Sequence, residues 1–235
     1  RIMVVTEDFT FIHTHKCGGS FVTGILTEEF NGKQVGNVFH TPRKDCIYDN
    51  AIYLGTVRNP FDWYVSMYHF YTKKENPIIQ GLGDFKNTVK TLLNLYGTDK
   101  HKELQHCDLC DNAVGYYFSS KGQGKTPRGG FTNQDFIDYP DGIGFYTWLW
   151  NRMNEDKKGN THNIHLMRVE NLNEDLVDTL DKYSSITSEQ KDKILQAPKN
   201  NTTDRGDYKE YFDSELIDLI YEKDSLFFKR FGYEF

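Results

Sequence analysis

The segment FIHTHKCGGSF, residues 11–21, constrains this chain more than any other stretch. An apolar run of β type opens into Lys16-Cys17-Gly18-Gly19-Ser20, and a helical pattern begins directly afterwards. A strand, a glycine loop carrying one lysine and a helix N-terminus together form a cradle for an anion. The glycines let the backbone come close to phosphate-like oxygens, the N–H groups of the first helical turn donate hydrogen bonds, and Lys16 adds a point charge. Such a loop grips an activated phosphate or sulfate donor.

The order of residues sets this loop apart from those that bind nucleoside triphosphates. Their pattern is GxxxxGK[ST], with the lysine after the last glycine. Here Lys16 precedes both glycines, and the complete pattern occurs nowhere; the GKT at residues 124–126 has Ser119 where its first glycine would stand.

A second segment, AIYLGTVRNPFDWYVSMYHFY over residues 51–71, reads as a buried strand, then Arg58-Asn59-Pro60, then a helix carrying Ser66. Each feature alone has a plain alternative, a surface arginine and a helix-face serine, because single motif matches recur by chance. Together and in this order, the two segments resemble the sulfotransferases that use 3′-phosphoadenosine 5′-phosphosulfate (PAPS). In that family the first loop, usually KTGGT or similar, holds the 5′-phosphosulfate. The Arg of a VRxP motif, with a Ser eight residues on, holds the 3′-phosphate. The resemblance therefore implies that Lys16, Cys17, Gly18, Gly19, Ser20 and Phe21 form the phosphosulfate loop and that Arg58 and Ser66 bind the 3′-phosphate. Pro60 suits a first helical turn, where no N–H is needed. Ser66 then lies nearly two turns in, where its hydroxyl can share a phosphate with the guanidinium fork.

The likeness continues to the end of the chain. Residues 201–235 are similar to the tail of the carbohydrate-type branch, with its Golgi and bacterial family 2-like members. By that likeness Arg205 is a further nucleotide contact, its alternative being a solvated loop arginine; the RKG signature of cytosolic members is absent. LMRVENLNEDL, residues 166–176, matches a region where relatives often carry Tyr, but Val169 stands here, so the adenine contact is not carried over. His40 matches in position a histidine that carbohydrate sulfotransferases often have, which makes it the first choice of general base. His15 and an unplaced carboxylate are the alternatives, while His13 reads as a strand residue and His69 as structural. The implied chemistry is transfer of a sulfuryl group from PAPS to an acceptor hydroxyl on a carbohydrate or small molecule. Lys16 is the catalytic cation, 3′-phosphoadenosine 5′-phosphate (PAP) the product, and no metal is required. Two other classes share parts of the pattern: a P-loop-type nucleotide kinase or hydrolase, and a catalytically inactive nucleotide-binding module.

Strands alternate with helical patterns, so the expected fold is α/β: a P-loop-like three-layer arrangement with a central, mostly parallel sheet flanked by helices. The expected strands are 2–5, 9–13, 35–39, 51–57 and 163–169. Helices are expected over 20–30, 42–48, 60–73, 84–96, 145–153 and 172–183, the last capped by Asn171, with a further one around Leu216–Tyr221. At 235 residues one domain is expected, with an irregular insertion at about 97–144 that is either a substrate loop or a disordered segment.

Net charge is −6 with no basic block, which argues against a nucleic-acid partner. No apolar run of membrane-spanning length occurs, so the chain is expected to be cytoplasmic, or in the Golgi lumen if an anchor precedes Arg1. Cys17 lies in the proposed loop, where a role in packing and backbone donation is expected. The cluster His101, His106, Cys107 and Cys110 is open to a zinc site, a disulfide or free thiols.

Overall fold

The computed structural model describes residues 3–35, 41–46, 52–73, 82–105, 136–198 and 206–235. In chain order its elements are β1 (Met3–Val5), β2 (Thr10–Ile12), α1 (Gly19–Glu29), β3 (Lys33–Val35), β4 (Tyr53–Val57), α2 (Pro60–Lys73), α3 (Phe85–Leu93), α4 (Asp99–Gln105), α5 (Phe145–Asn154), β5 (Ile164–Arg168), α6 (Leu172–Tyr183), α7 (Ser188–Gln196), α8 (Ser214–Lys223) and α9 (Ser225–Phe231). The chain divides into two compact units, Arg1–Arg58 with Asn151–Thr202 and Asn59–Trp150 with Thr203–Phe235.

The first unit is α/β. Its five strands form one mixed sheet in the order β3-β1-β2-β4-β5. β1 and β2 are joined by a tight turn in which Thr6 exchanges hydrogen bonds with Phe9, so that pair is antiparallel. β1 also runs antiparallel to β3, while β2, β4 and β5 are mutually parallel, so every strand except β1 points the same way. Register places Val4, Phe11, Leu54 and His165 in one row across four strands, and hence on one face. Phe21, Val22, Ile25 and Leu26 of α1 and Leu172, Leu176 and Leu180 of α6 share a buried cluster with Val4, Phe11 and Leu54 of that row. Their spacing of three and four residues makes one apolar stripe per helix, and each such side chain stabilises the fold by about 1.5–3 kcal/mol. Asn173 ties the layer together by donating to the carbonyls of Ile194 and Ala197 at the end of α7, at 2.7 and 3.0 Å.

The second unit is helical and aromatic. Phe61 packs against Phe212, Tyr221, Phe228 and Phe235 at ring separations of 4.8–5.5 Å. The buried carboxylate of Asp224 accepts from Tyr64 at 2.7 Å and from the Thr147 N–H and hydroxyl at 2.9 and 2.6 Å. Burial pushes the Asp224 carboxyl above its ordinary range despite those donors.

Some expectations change. The described part of the segment expected to be helical over 42–48 holds a single 3₁₀ turn, Arg43–Asp45. Asn171 makes no side-chain cap, because a 3₁₀ turn over Val169–Asn171 runs straight into α6 and leaves Asn171 at φ −123°, ψ 37°. Asp175, in the first turn of α6, instead accepts from the Arg168 N–H at 2.6 Å. Helix α4 falls inside the segment expected to be irregular, and α7 was not anticipated. Among the described residues no helix is long and apolar enough to cross a membrane.

Candidate functional site

Two adjacent parallel strands bring the two sequence motifs together. β2 and β4 pair in parallel, so the loops that leave their carboxyl ends emerge on the same edge of the sheet, where open α/β sheets place their ligands. After β2 the chain turns through Lys16 at φ 58° and Gly18 at φ 71°, then enters α1 at Gly19. The Cys17 N–H closes the turn on the Thr14 carbonyl at 3.3 Å, and Asn154 donates to the Thr14 hydroxyl at 3.0 Å. After β4, Arg58 reaches across and its Nη1 donates to the Lys16 carbonyl at 2.8 Å. A left-handed lysine costs about 1–2 kcal/mol. The hydrogen bond from a charged, partly exposed guanidinium contributes about 1–2 kcal/mol after solvent screening, enough to offset that strain.

The N-terminus of α1 carries the donors. The N–H groups of Phe21 and Val22 turn back to the Gly18 carbonyl at 3.0 and 3.4 Å. With Cys17 also bonded inside the loop, the donors offered to a ligand narrow from the expected run 17–21 to Gly18, Gly19 and Ser20, whose N–H groups meet no acceptor among the described residues. No carboxylate lies in the first turn of α1 to compete for the positive end of the helix. Ser20 is exposed and Lys16 partly exposed, whereas Cys17 is fully buried and in no disulfide, as a packing role requires.

Both glycines are dictated by their neighbours. A Cβ on Gly18 would lie 2.5 Å from Cδ2 of Leu172, and one on Gly19 would lie 2.0 Å from Cδ2 of His13. The motif is therefore packed against α6 on one side and against the end of β2 on the other. Nothing in the local sequence signals these contacts, nor the bonds Arg58 to Lys16 and Asn154 to Thr14, because each partner is distant in the chain or follows the strand at an angle set by tertiary packing.

The remaining candidates are placed as follows. Ser66 is a buried residue of α2 in the second unit. His40 and Arg205 lie outside the described residues, as do His106, Cys107 and Cys110. His13 follows β2 rather than lying in it, and both His13 and His15 are buried. His69 shares a hydrogen bond with the Tyr211 hydroxyl at 2.8 Å, consistent with a structural role. Both ring nitrogens of His101 are engaged, Nδ1 accepting from the Gly97 N–H at 2.9 Å and Nε2 lying 2.5 Å from the Phe136 carbonyl. That pairing fixes the ring as a structural link between α4 and Phe136 and takes up both nitrogens that could ligate zinc. Among the described residues no group of His, Cys, Asp and Glu is arranged to hold a metal ion.

A helix N-terminus with N–H donors on offer, next to a partly exposed lysine and an arginine, suits a phosphate-like anion, and neither the buried Cys17 thiol nor any carboxylate of the first turn of α1 is there to repel it. Compared with protein-family models, with curated proteins and with solved structures, the chain matches none.

Proposed function

We propose that this chain is a sulfotransferase on a P-loop-like three-layer fold, moving the sulfuryl group of PAPS to an acceptor hydroxyl on a carbohydrate or small molecule. The observation that carries the reading is the 2.8 Å hydrogen bond that the Arg58 guanidinium donates to the backbone carbonyl of Lys16, which brings residues of the two separate sequence motifs together before α1. The loop's lysine-first order further favours a phosphosulfate over a triphosphate.

In the transfer, the bond between sulfur and the phosphate oxygen breaks as a bond from sulfur to the acceptor oxygen forms, and the acceptor's proton passes to a base. Lys16 neutralises charge on the departing oxygen, and the N–H groups of Gly18, Gly19 and Ser20 hold the phosphosulfate oxygens in place. Arg58, Ser66 and Arg205 keep the nucleotide assignments that the resemblance gives them, and His40 that of base.

The test is transfer of radiolabelled sulfate from PAPS to a panel of sugars and small alcohols, without added metal. The wild-type chain is expected to release PAP and label an acceptor. Lys16→Met is expected to lose most turnover with an unchanged melting temperature, since methionine occupies the same partly exposed position. Native turnover in Lys16→Met, or no transfer to any acceptor alongside magnesium-dependent ATP hydrolysis, would overturn the proposal.

A further inference from the structure

Arg43 is a charge buried without a counter-charge. The 3₁₀ turn Arg43–Asp45 brings it to the amino ends of β4 and β5, where its Nη1 donates to the His162 carbonyl at 2.9 Å and its guanidinium lies over the Tyr53 ring, 4.4 Å from the centroid. Only 9% of the residue is exposed, yet among the described residues no carboxylate forms an ion pair with it. The acids nearby are engaged elsewhere. Glu155 pairs with Lys44 at 3.1 Å, and Asp156 accepts from the N–H groups of Lys158 and Asn160 at 2.8 and 2.9 Å. Those bonds, the Asn160 N–H foremost, hold the Asp156 carboxyl below its ordinary range, and the charge of Arg43 adds only a little. On the other edge of the guanidinium, Nε is buried and donates to no acceptor. Buried charges are ordinarily paired, and buried donors ordinarily bonded.

We propose that Arg43 is the binding residue of a second oxyanion site, its Nε–Nη2 edge taking two oxygens of a carboxylate, sulfate or phosphate group. That edge is the side-on fork of a guanidinium, matched to such groups, and the His162 carbonyl and Tyr53 ring hold it in a fixed plane. The residues around it lie at the surface, His162 exposed and Lys44 and Tyr53 half-buried, so an anion has only side chains to displace. All of them belong to the first unit. Tyr53 opens β4 and Arg58 follows its last residue, so the strand's length, about 13 Å at roughly 3.3 Å per residue, separates this site from the glycine loop. The inference therefore stands apart from the sulfotransferase reading.

Nitrogen-15 spectra of arginine-labelled wild-type protein test it through the Arg43 Nε–H signal, assigned by its loss in Arg43→Lys. Sodium sulfate, phosphate and acetate are added in turn, against sodium chloride at matched ionic strength. The signal is expected to shift and saturate, with a midpoint at about 1 mM or below, for at least one of the three. A response confined to sulfate and phosphate assigns a tetrahedral group, and a response to acetate assigns a carboxylate. The same anion is expected to raise the melting temperature of wild type but not of Arg43→Lys, which keeps the charge and loses the fork. If Arg43→Lys does not fold, the contact of the Nε–H proton with the Tyr53 ring protons gives the assignment. A signal that moves no further with any of the three than with chloride overturns the inference, as does equal stabilisation of wild type and Arg43→Lys, and either result leaves the donor reading untouched.

Discussion

Alanine at Gly18 and alanine at Gly24 should move stability in opposite directions, although the two positions sit at the cap and in the body of the same helix. Gly18 has φ 71°, and an L-residue held there costs about 1–2 kcal/mol. Its new Cβ would also lie 2.5 Å from Cδ2 of Leu172, a side chain only 5% exposed, and forcing extra volume into a packed core typically costs about 1–3 kcal/mol. Because the terminal methyl of Leu172 can give way in part, the two terms together come to about 2–4 kcal/mol. Gly24 lies inside α1, and a Cβ there meets nothing within 4 Å, so alanine gains about 0.5–1 kcal/mol from helix propensity alone. Equilibrium urea unfolding of the two variants should therefore differ by about 2.5–5 kcal/mol, with a melting point for Gly18→Ala lower than wild type by roughly 4–16 °C. If Gly18→Ala proved as stable as Gly24→Ala, the left-handed turn into α1 and its packing on α6 would both be wrong.

Other consequences are open to direct measurement. Burial lifts the Asp224 carboxyl, so the native state keeps a proton that the unfolded chain releases near pH 4, and stability falls as pH rises from about 4 through the native titration. Asp224→Asn should flatten that decline, since an amide at this position has no proton to release over that range; an unchanged pH slope in urea unfolding would refute the buried carboxyl. Asn173→Ala should cost about 1–3 kcal/mol and speed hydrogen exchange along α7, since the carbonyls of Ile194 and Ala197 lose their donor; equal exchange in mutant and wild type would contradict this. His101→Ala should destabilise the chain by a similar amount yet leave PAP affinity unaltered, and a fall in PAP affinity at unchanged stability would contradict a purely structural histidine.

The elements with strong local signals were legible from the chain. Helix α2 runs over Pro60–Lys73 as its proline start and apolar pattern imply, and β4 and β5 fall within the apolar runs read as strands. The opening of α1 followed from Gly18 and Gly19, although the helix begins one residue earlier than its pattern suggested. Asn171 failed as a cap because cap propensity says nothing about the backbone path into the helix, and here a 3₁₀ turn arrives already wound. Helix α7 did carry a local signal, the capping box formed by Thr187 and Gln190, but its single buried residue, Ile194, leaves almost no apolar stripe to notice. At the site, residue types and order pointed to Lys16 and Arg58, whereas their direct hydrogen bond depends on β2 and β4 being neighbours, a fact of sheet order that no local window contains. The contact of His13 with Gly19 is of the same kind.

Under the proposed function, the start of α1, with Lys16 and Arg58, receives one adenosine nucleotide bearing phosphates at both its 3′ and 5′ positions. Calorimetric titration of the wild-type chain and of Arg58→Ala with PAP, alongside ATP and magnesium, tests it most directly. Wild type should bind PAP at least tenfold more tightly than ATP with magnesium, and Arg58→Ala should lose at least tenfold of that affinity. No heat with PAP, tighter binding of ATP with magnesium, or full PAP affinity in Arg58→Ala would contradict it.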